Sequence, residues 1–224
     1  MVEKMTNNSC RLYLVTPPQI DVARFSEDLK AALDGGDVGC LQLRLKDCED
    51  NDILRAAEHL APICRDYQVP LLINDRPDLA KSSDADGVHI GQKDASYEEA
   101  VSILDPDRTI GVTCHNSRHL AITTAESGAD YVAFGAFFET KTKTPQARAT
   151  TDILGWVNDV LLLPSVAIGG ITPTNCAPLV RAGANFLAVV SAVWNHKDGP
   201  KSGVAEFNEA IAKALEILKA DNLC

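Results

Sequence analysis

Gln42, Arg44 and Lys46 alternate with Leu41, Leu43 and Leu45, and an amide with two fixed cations at that spacing can receive an anion. In an extended strand successive side chains point to opposite faces, so the polar three share one side and the leucines the other. The leucine side can pack under a helix. Burying the polar side costs free energy unless an anionic or hydrogen-bonding group meets it. An anion site and an edge strand with a solvated polar face both fit these six residues, and the segment alone weighs them evenly.

Further along, Asp75 and Asp94 each follow a short β-rich run, where two carboxylates can share a hard divalent cation. Mg²⁺ commonly takes one or two carboxylates and fills its remaining positions with substrate phosphate oxygens and water. Taken singly, each aspartate fits a helix cap or a salt bridge better than a metal. Residues 168–173 run from a strand into Gly169-Gly170 and then to Pro173, a residue placed to open a helix. Backbone amides at such a turn make a phosphate nest, with Val190 and Ser191 on its opposite side. Helix capping accounts for many Asp, Asn, Ser and Thr residues in loops. It does not account for Arg44, Lys46 and Lys143 together. His89, inside an apolar strand, reads as a hydrogen-bonded core histidine. Zinc at Cys114 and His115 lacks further ligands at metal-site spacing.

The elements that must position these groups form a regular alternation. Strands are expected at 11–15, 40–44, 70–73, 87–90, 109–112, 131–134, 166–168 and 186–190. Amphipathic helices are expected at 20–33, 51–67, 78–82, 98–104, 118–127, 152–157, 174–181 and 204–219. Eight βα units in 224 residues imply the α/β class and a single (β/α)₈ TIM barrel spanning 1–224, with a polar N-terminal tail at 1–9 and a loop at 197–203 before the last helix. Gly128-Ala129-Asp130 and Gly183-Ala184-Asn185 look like one device used twice, a left-handed glycine ending a helix before a strand. In such barrels chemistry gathers at the C-terminal ends of the strands.

The chain carries 21 Lys and Arg against 31 Asp and Glu, a net charge of −10 that disfavours nucleic acid and anionic membranes as partners. An anionic ligand must therefore be held by local cations, backbone amides or a metal. The seven cysteines show no metal-site spacing and read as reduced thiols, and no apolar run is long enough for a membrane span. The expected location is cytoplasmic.

The segments 42–46, 74–78, 86–94, 110–115, 128–131 leading to 140–143, 167–171 and 189–192 together resemble the thiamine-phosphate synthase family, also called thiamine-phosphate pyrophosphorylase. The resemblance covers about 12–194. It implies a barrel that joins a hydroxymethylpyrimidine diphosphate to a thiazole phosphate and releases pyrophosphate with Mg²⁺ assistance. By motif, Gln42, Arg44, Lys46, Asn74, Thr113 and Lys143 hold the pyrimidine diphosphate, and Asp75 and Asp94 hold Mg²⁺. Thr140, Lys141, Thr142, Gly170, Val190 and Ser191 hold the thiazole phosphate. Arg44, Lys46 and Lys143 are the catalytic cations, and no enzyme nucleophile is implied. A homodimer is the assembly the resemblance suggests.

Some positions depart from the family pattern. Leu45 replaces an acidic or polar residue but has helix-facing parity, and Thr113 keeps the hydroxyl of a more usual serine. Ala136 and Glu139 replace prolines, which predicts a looser loop after strand six and a weaker thiazole-phosphate site. Two other functions use the same barrel: a thiazole tautomerase, with His115 as proton shuttle, and a non-catalytic sensor of phosphate ligands.

Overall fold

The computed structural model describes residues 9–140 and 146–221. Eight parallel strands close into a barrel in chain order. They are β1 (Arg11–Val15), β2 (Val38–Leu43), β3 (Leu71–Asn74), β4 (Gly87–Ile90), β5 (Thr109–His115), β6 (Tyr131–Gly135), β7 (Ser165–Ile168) and β8 (Phe186–Val189). The helices outside it are α1 (Val22–Leu33), α2 (Asp50–Asp66), α3 (Pro77–Ser82), α4 (Tyr97–Ile103), α5 (Arg118–Ser127), α6 (Asp152–Val160), α7 (Ala177–Arg181), α8 (Ser191–Trp194) and α9 (Gly199–Asp221).

Strand parity divides the core into two. Leu41 and Leu43 pack outward with Leu12, Leu14, Ile73 and Phe134 in the shell between strands and helices, and Leu45 joins them at its edge. Tyr13, Cys40, Leu72, Tyr131, Val166 and Ala188 fill the lumen instead. Gln42 faces that lumen, since its amide nitrogen donates to the Tyr13 hydroxyl at 2.8 Å. Its burial rules out a solvated polar face at this position.

Several boundaries differ from expectation, and those that bear on the site have a local reason. β2 stops at Leu43, because its neighbour β1 ends before Thr16-Pro17-Pro18; the Arg44 amide turns to the Thr16 hydroxyl at 2.8 Å. Arg44 and Lys46 thus lie beyond the strand. Pro173 opens a turn rather than a helix: the Asn175 side chain accepts from the Thr172 amide (2.8 Å) and donates to the Gly170 carbonyl (3.0 Å). α7 begins only at Ala177, with Pro178 in its first turn. The short α8 was not expected; four residues carry too little periodicity to be read, and it is pinned by Trp194 Nε1 donating to the Val15 carbonyl at 2.7 Å. The loop expected at 197–203 shrinks, since α9 starts at Gly199 and Pro200 occupies its first turn, where a missing N–H costs nothing.

At the N-terminal ends of the strands one clamp recurs. Asp86, Asp130 and Asn185, each just before an even-numbered strand, donate their backbone N–H to the carbonyls of Leu71, Ile110 and Ser165. Their side chains accept from the amides of those same residues at 2.8, 2.7 and 2.8 Å. The glycines ahead of two of these clamps have the expected left-handed backbone, with φ of +103° at Gly128 and +93° at Gly183.

Candidate active site

β2, β3 and β4 deliver their following residues to one place at the C-terminal mouth. Lys46 Nζ donates to Asp75 Oδ2 at 2.7 Å. Asp75 leaves β3 with φ of +65°, and its amide donates to the His89 carbonyl of β4 at 2.8 Å, so the sheet itself holds the bend. Asp94 turns back through a hydrogen bond from the Gly91 amide to its Oδ2 at 3.0 Å. Asp75 and Asp94 share the wall of a hollow of about 540 Å³ that also includes Arg76 and Asp78. A larger hollow, between α2 and the end of α3, contains none of the expected site residues.

The two carboxylates feel each other. Burial works to raise the Asp75 carboxyl, but hydrogen bonds from Lys46 and the other polar neighbours hold it below the usual range. Partial burial and then the Asp75 charge push Asp94 the other way, above its ordinary value. Like charges held this close repel until a cation enters or one takes a proton. Among the described residues no group of three or more His, Cys, Asp or Glu forms a metal cluster. The pair does suit an ion that draws its other ligands from a substrate diphosphate and water, which is the habit of Mg²⁺.

The remaining expected residues fall around this point. Asn74 ends β3 beside Asp75 and is among the polar neighbours that hold its carboxyl down. Arg44 is half-buried, and its guanidinium pairs with no described side chain. Thr113 lies within β5 rather than after it, its hydroxyl 2.8 Å from His89 Nε2 and its carbonyl accepting from Gln92 Nε2 at 2.8 Å. His89 is the hydrogen-bonded histidine that its apolar strand suggested, with Nδ1 2.8 Å from the Tyr131 hydroxyl.

On the other side of the mouth, Gly169 and Gly170 turn with φ of +108° and +65°. No backbone partner among the described residues takes the amide of either. Close approach adds a second reason for glycine: a Cβ on Gly170 would lie 2.1 Å from the Glu139 carbonyl oxygen. Val190 caps the lumen and Ser191 is exposed at the start of α8. Thr140 is the last described residue before 141–145, so Lys141, Thr142 and Lys143 lie outside the described residues.

Ala136 has a use that proline could not serve. Its amide donates to the Ala147 carbonyl at 3.0 Å and its carbonyl accepts from Ala149 at 3.1 Å. Glu139 pairs with Arg148 at 3.3 Å, which offsets part of the negative charge expected to weaken a phosphate site there. The buried thiols do not supply a nucleophile; burial pushes Cys114 up to about 11. Tyr13, Tyr131 and Gly111 escaped the sequence reading as a functional group. Two inward tyrosines and a glycine inside a strand were the available signals.

A closed eight-stranded barrel whose mouth gathers basic side chains, paired carboxylates and a glycine turn defines a (β/α)₈ protein built to hold phosphorylated ligands. A family model described as thiamine monophosphate synthase matches residues 12–193, and the chain belongs to that family. It is 54% identical to the thiamine-phosphate synthase of Rhodospirillum centenum over 90% of this chain and 98% of that protein. It is 47% identical to the thiamine-phosphate synthase of Hyphomonas neptunium over 88% and 92%. Among solved structures, a thiamine phosphate pyrophosphorylase from Pyrococcus furiosus superposes with a TM-score of 0.81 at 28% identity, covering 93% of this chain and 98% of that one.

Proposed function

We propose that the protein is a transferase that joins 4-amino-2-methyl-5-hydroxymethylpyrimidine diphosphate to 4-methyl-5-(2-phosphoethyl)thiazole, giving thiamine phosphate and pyrophosphate. The observation that carries this is the Lys46–Asp75 pair at 2.7 Å with Asp94 beside it, a charge pattern suited to a diphosphate and its cation. Arg44 and Lys46, with Lys143, neutralise the leaving group. Gln42, Asn74 and Thr113 orient the pyrimidine diphosphate. Thr140, Lys141, Thr142, Gly170, Val190 and Ser191 receive the thiazole phosphate.

The reaction is dissociative in this reading. The benzylic-type carbon–oxygen bond breaks, its electron pair leaves with pyrophosphate, and the aminopyrimidine ring stabilises the cation. The thiazole nitrogen then donates its lone pair to that carbon. No proton need move and no enzyme nucleophile is required. Asp75 and Asp94 would hold Mg²⁺, which when bound supplies positive charge against the diphosphate oxygens. The chain's own task is positioning and fixed charge in a site that needs no reorganisation as the bond breaks. Neither the tautomerase nor the sensor reading gains support from the site geometry.

The reaction is assigned to the cytoplasm, and a homodimer is the assembly proposed for it; among the described residues no helix is long and apolar enough to cross a membrane. Purified protein given both substrates and Mg²⁺ is expected to release pyrophosphate and form thiamine phosphate. A folded protein that does neither refutes the assignment.

A further inference from the structure

One hydrogen-bonded chain crosses the barrel lumen and connects two residues assigned to the pyrimidine. Gln42 Nε2 donates to the Tyr13 hydroxyl at 2.8 Å, and the Tyr13 and Tyr131 hydroxyls are 2.9 Å apart. Tyr131 reaches His89 Nδ1 at 2.8 Å, and His89 Nε2 reaches the Thr113 hydroxyl at 2.8 Å. The chain therefore runs through β2, β1, β6, β4 and β5. Tyr13 and Tyr131 are buried, with 3% and 7% exposure, so water competes little for these bonds.

Gly111 makes the crossing possible. It is in register with His89 on one side and Tyr131 on the other. A Cβ there would sit 1.9 Å from Tyr131 Cζ, so the missing side chain lets residues two strands apart meet. Their rings stack with centroids 5.6 Å apart.

The bonds can all run one way, and that direction is part of the inference. A phenol has one proton; with Tyr13 accepting from Gln42 and spending its own proton on Tyr131, the chain is directed from β2 toward β5. Tyr131 then donates to His89 Nδ1, which places the histidine proton on Nε2, facing Thr113. Thr113 accepts that proton's hydrogen bond and keeps its own hydroxyl hydrogen for another acceptor. At the far end, Gln42 has committed its amide nitrogen and retains its carbonyl oxygen, which no described side chain takes. One end of the chain is left as an acceptor and the other as a donor. An aminopyrimidine edge offers the complement, an exocyclic N–H and a ring nitrogen lone pair.

We propose that Tyr13, Tyr131 and His89 are positioning residues whose relay fixes Gln42 as acceptor and Thr113 as donor, so that the mouth selects a pyrimidine bearing an exocyclic amine. This rests on the function proposed above. The relay touches no reacting atom; it acts by holding the amide and hydroxyl of two other residues in one orientation. Without either tyrosine hydroxyl, the Gln42 amide is free to turn its nitrogen toward the ligand, and donor then meets donor.

The test uses the full chain and two probes, the aminopyrimidine diphosphate and its analogue with hydrogen in place of the amine, titrated by calorimetry into wild type, Tyr13→Phe, Tyr131→Phe and the double variant. Each single variant is expected to bind the amino form about fivefold to tenfold more weakly, the scale of one net hydrogen bond, and the analogue unchanged. Because the relay works as a unit, the double variant is expected to lose no more than either single one. Equal losses for both probes, additive losses, or unchanged preference in variants with wild-type melting curves overturn the relay. If one variant fails to fold, the other still reads the preference ratio. Absence of pyrophosphate release by wild type refutes the proposed function instead, and the preference ratio distinguishes the two failures.

Discussion

At the N-terminal ends of the strands, Asp86, Asp130 and Asn185 each satisfy both backbone groups of one residue on the preceding odd-numbered strand. At the C-terminal ends, Lys46, Asp75 and Asp94 satisfy one another incompletely, with Asp94 held above its ordinary range. The residue types are nearly the same. What separates the two ends is whether a carboxylate meets a fixed backbone donor or another carboxylate. The first arrangement contributes stability and leaves nothing to offer a ligand; the second gives up some stability and keeps charge available. That division matches the general behaviour of (β/α)₈ barrels, in which the bottom face stabilises and the top face reacts.

Exchanging the roles of the two ends is how the contrast breaks. The largest effect is expected from Asp75→Ala, which should lower turnover at least about a hundredfold, the scale of removing one group that stabilises developing charge. Lys143→Ala should act similarly. Steady-state pyrophosphate release measures both, and urea unfolding of Asp75→Ala should show a change below about 1 kcal/mol, since the Lys46 pair is partly solvated. A full-rate variant at either position would show the mouth to be misassigned.

Asn185→Ala inverts the pattern. It leaves the buried Ser165 amide without its side-chain acceptor, so unfolding free energy should fall by about 1–3 kcal/mol with kcat/KM unchanged. A loss of activity beyond the loss of folded protein would place function at the bottom face as well.

Asp94→Asn tests the same point from the top. The folded pKa of Asp94 lies above its unfolded value, so its ionisation destabilises the fold, and this cost grows as pH rises from the unfolded toward the folded pKa and is then constant. At pH 7 and without divalent cation the neutral variant should melt slightly higher, by about 1–2 °C for a chain of this size. At a pH below the unfolded pKa the difference should vanish, while turnover at pH 7 with Mg²⁺ should be lost. An equal or lower melting temperature at pH 7 contradicts the repulsion. The smallest effect is expected from Glu139→Gln, whose exposed pair with Arg148 should change stability by less than about 0.5 kcal/mol and the KM for thiazole phosphate only a few-fold.

Much of this was legible in the chain. The alternation of Leu41 and Leu43 with Gln42 correctly divided shell from lumen, because parity is a local property of extended backbone, whereas Arg44 and Lys46 lie past the end of the strand. Residues 118–127 were read at both ends, where Ser117 caps α5 at its start and left-handed Gly128 at its finish. Prolines misled at 173 and 200, since the same ring that ends one element suits the first turn of the next. The clamp function of Asp130 and Asn185 stayed hidden behind their glycines, because its partners lie about 20 residues away.

The sequence by itself determined the order of the eight βα units, the two faces of β2, and the set of charged groups at strand ends. Each depends on backbone period or on a residue's own chemistry. Only the closed barrel decided that Lys46 would bond Asp75 rather than solvent, that Asp94 would feel Asp75, and that Gly111 would let His89 reach Tyr131. Those are distances between strands, and they come into being only when the sheet curves far enough for β8 to pair with β1.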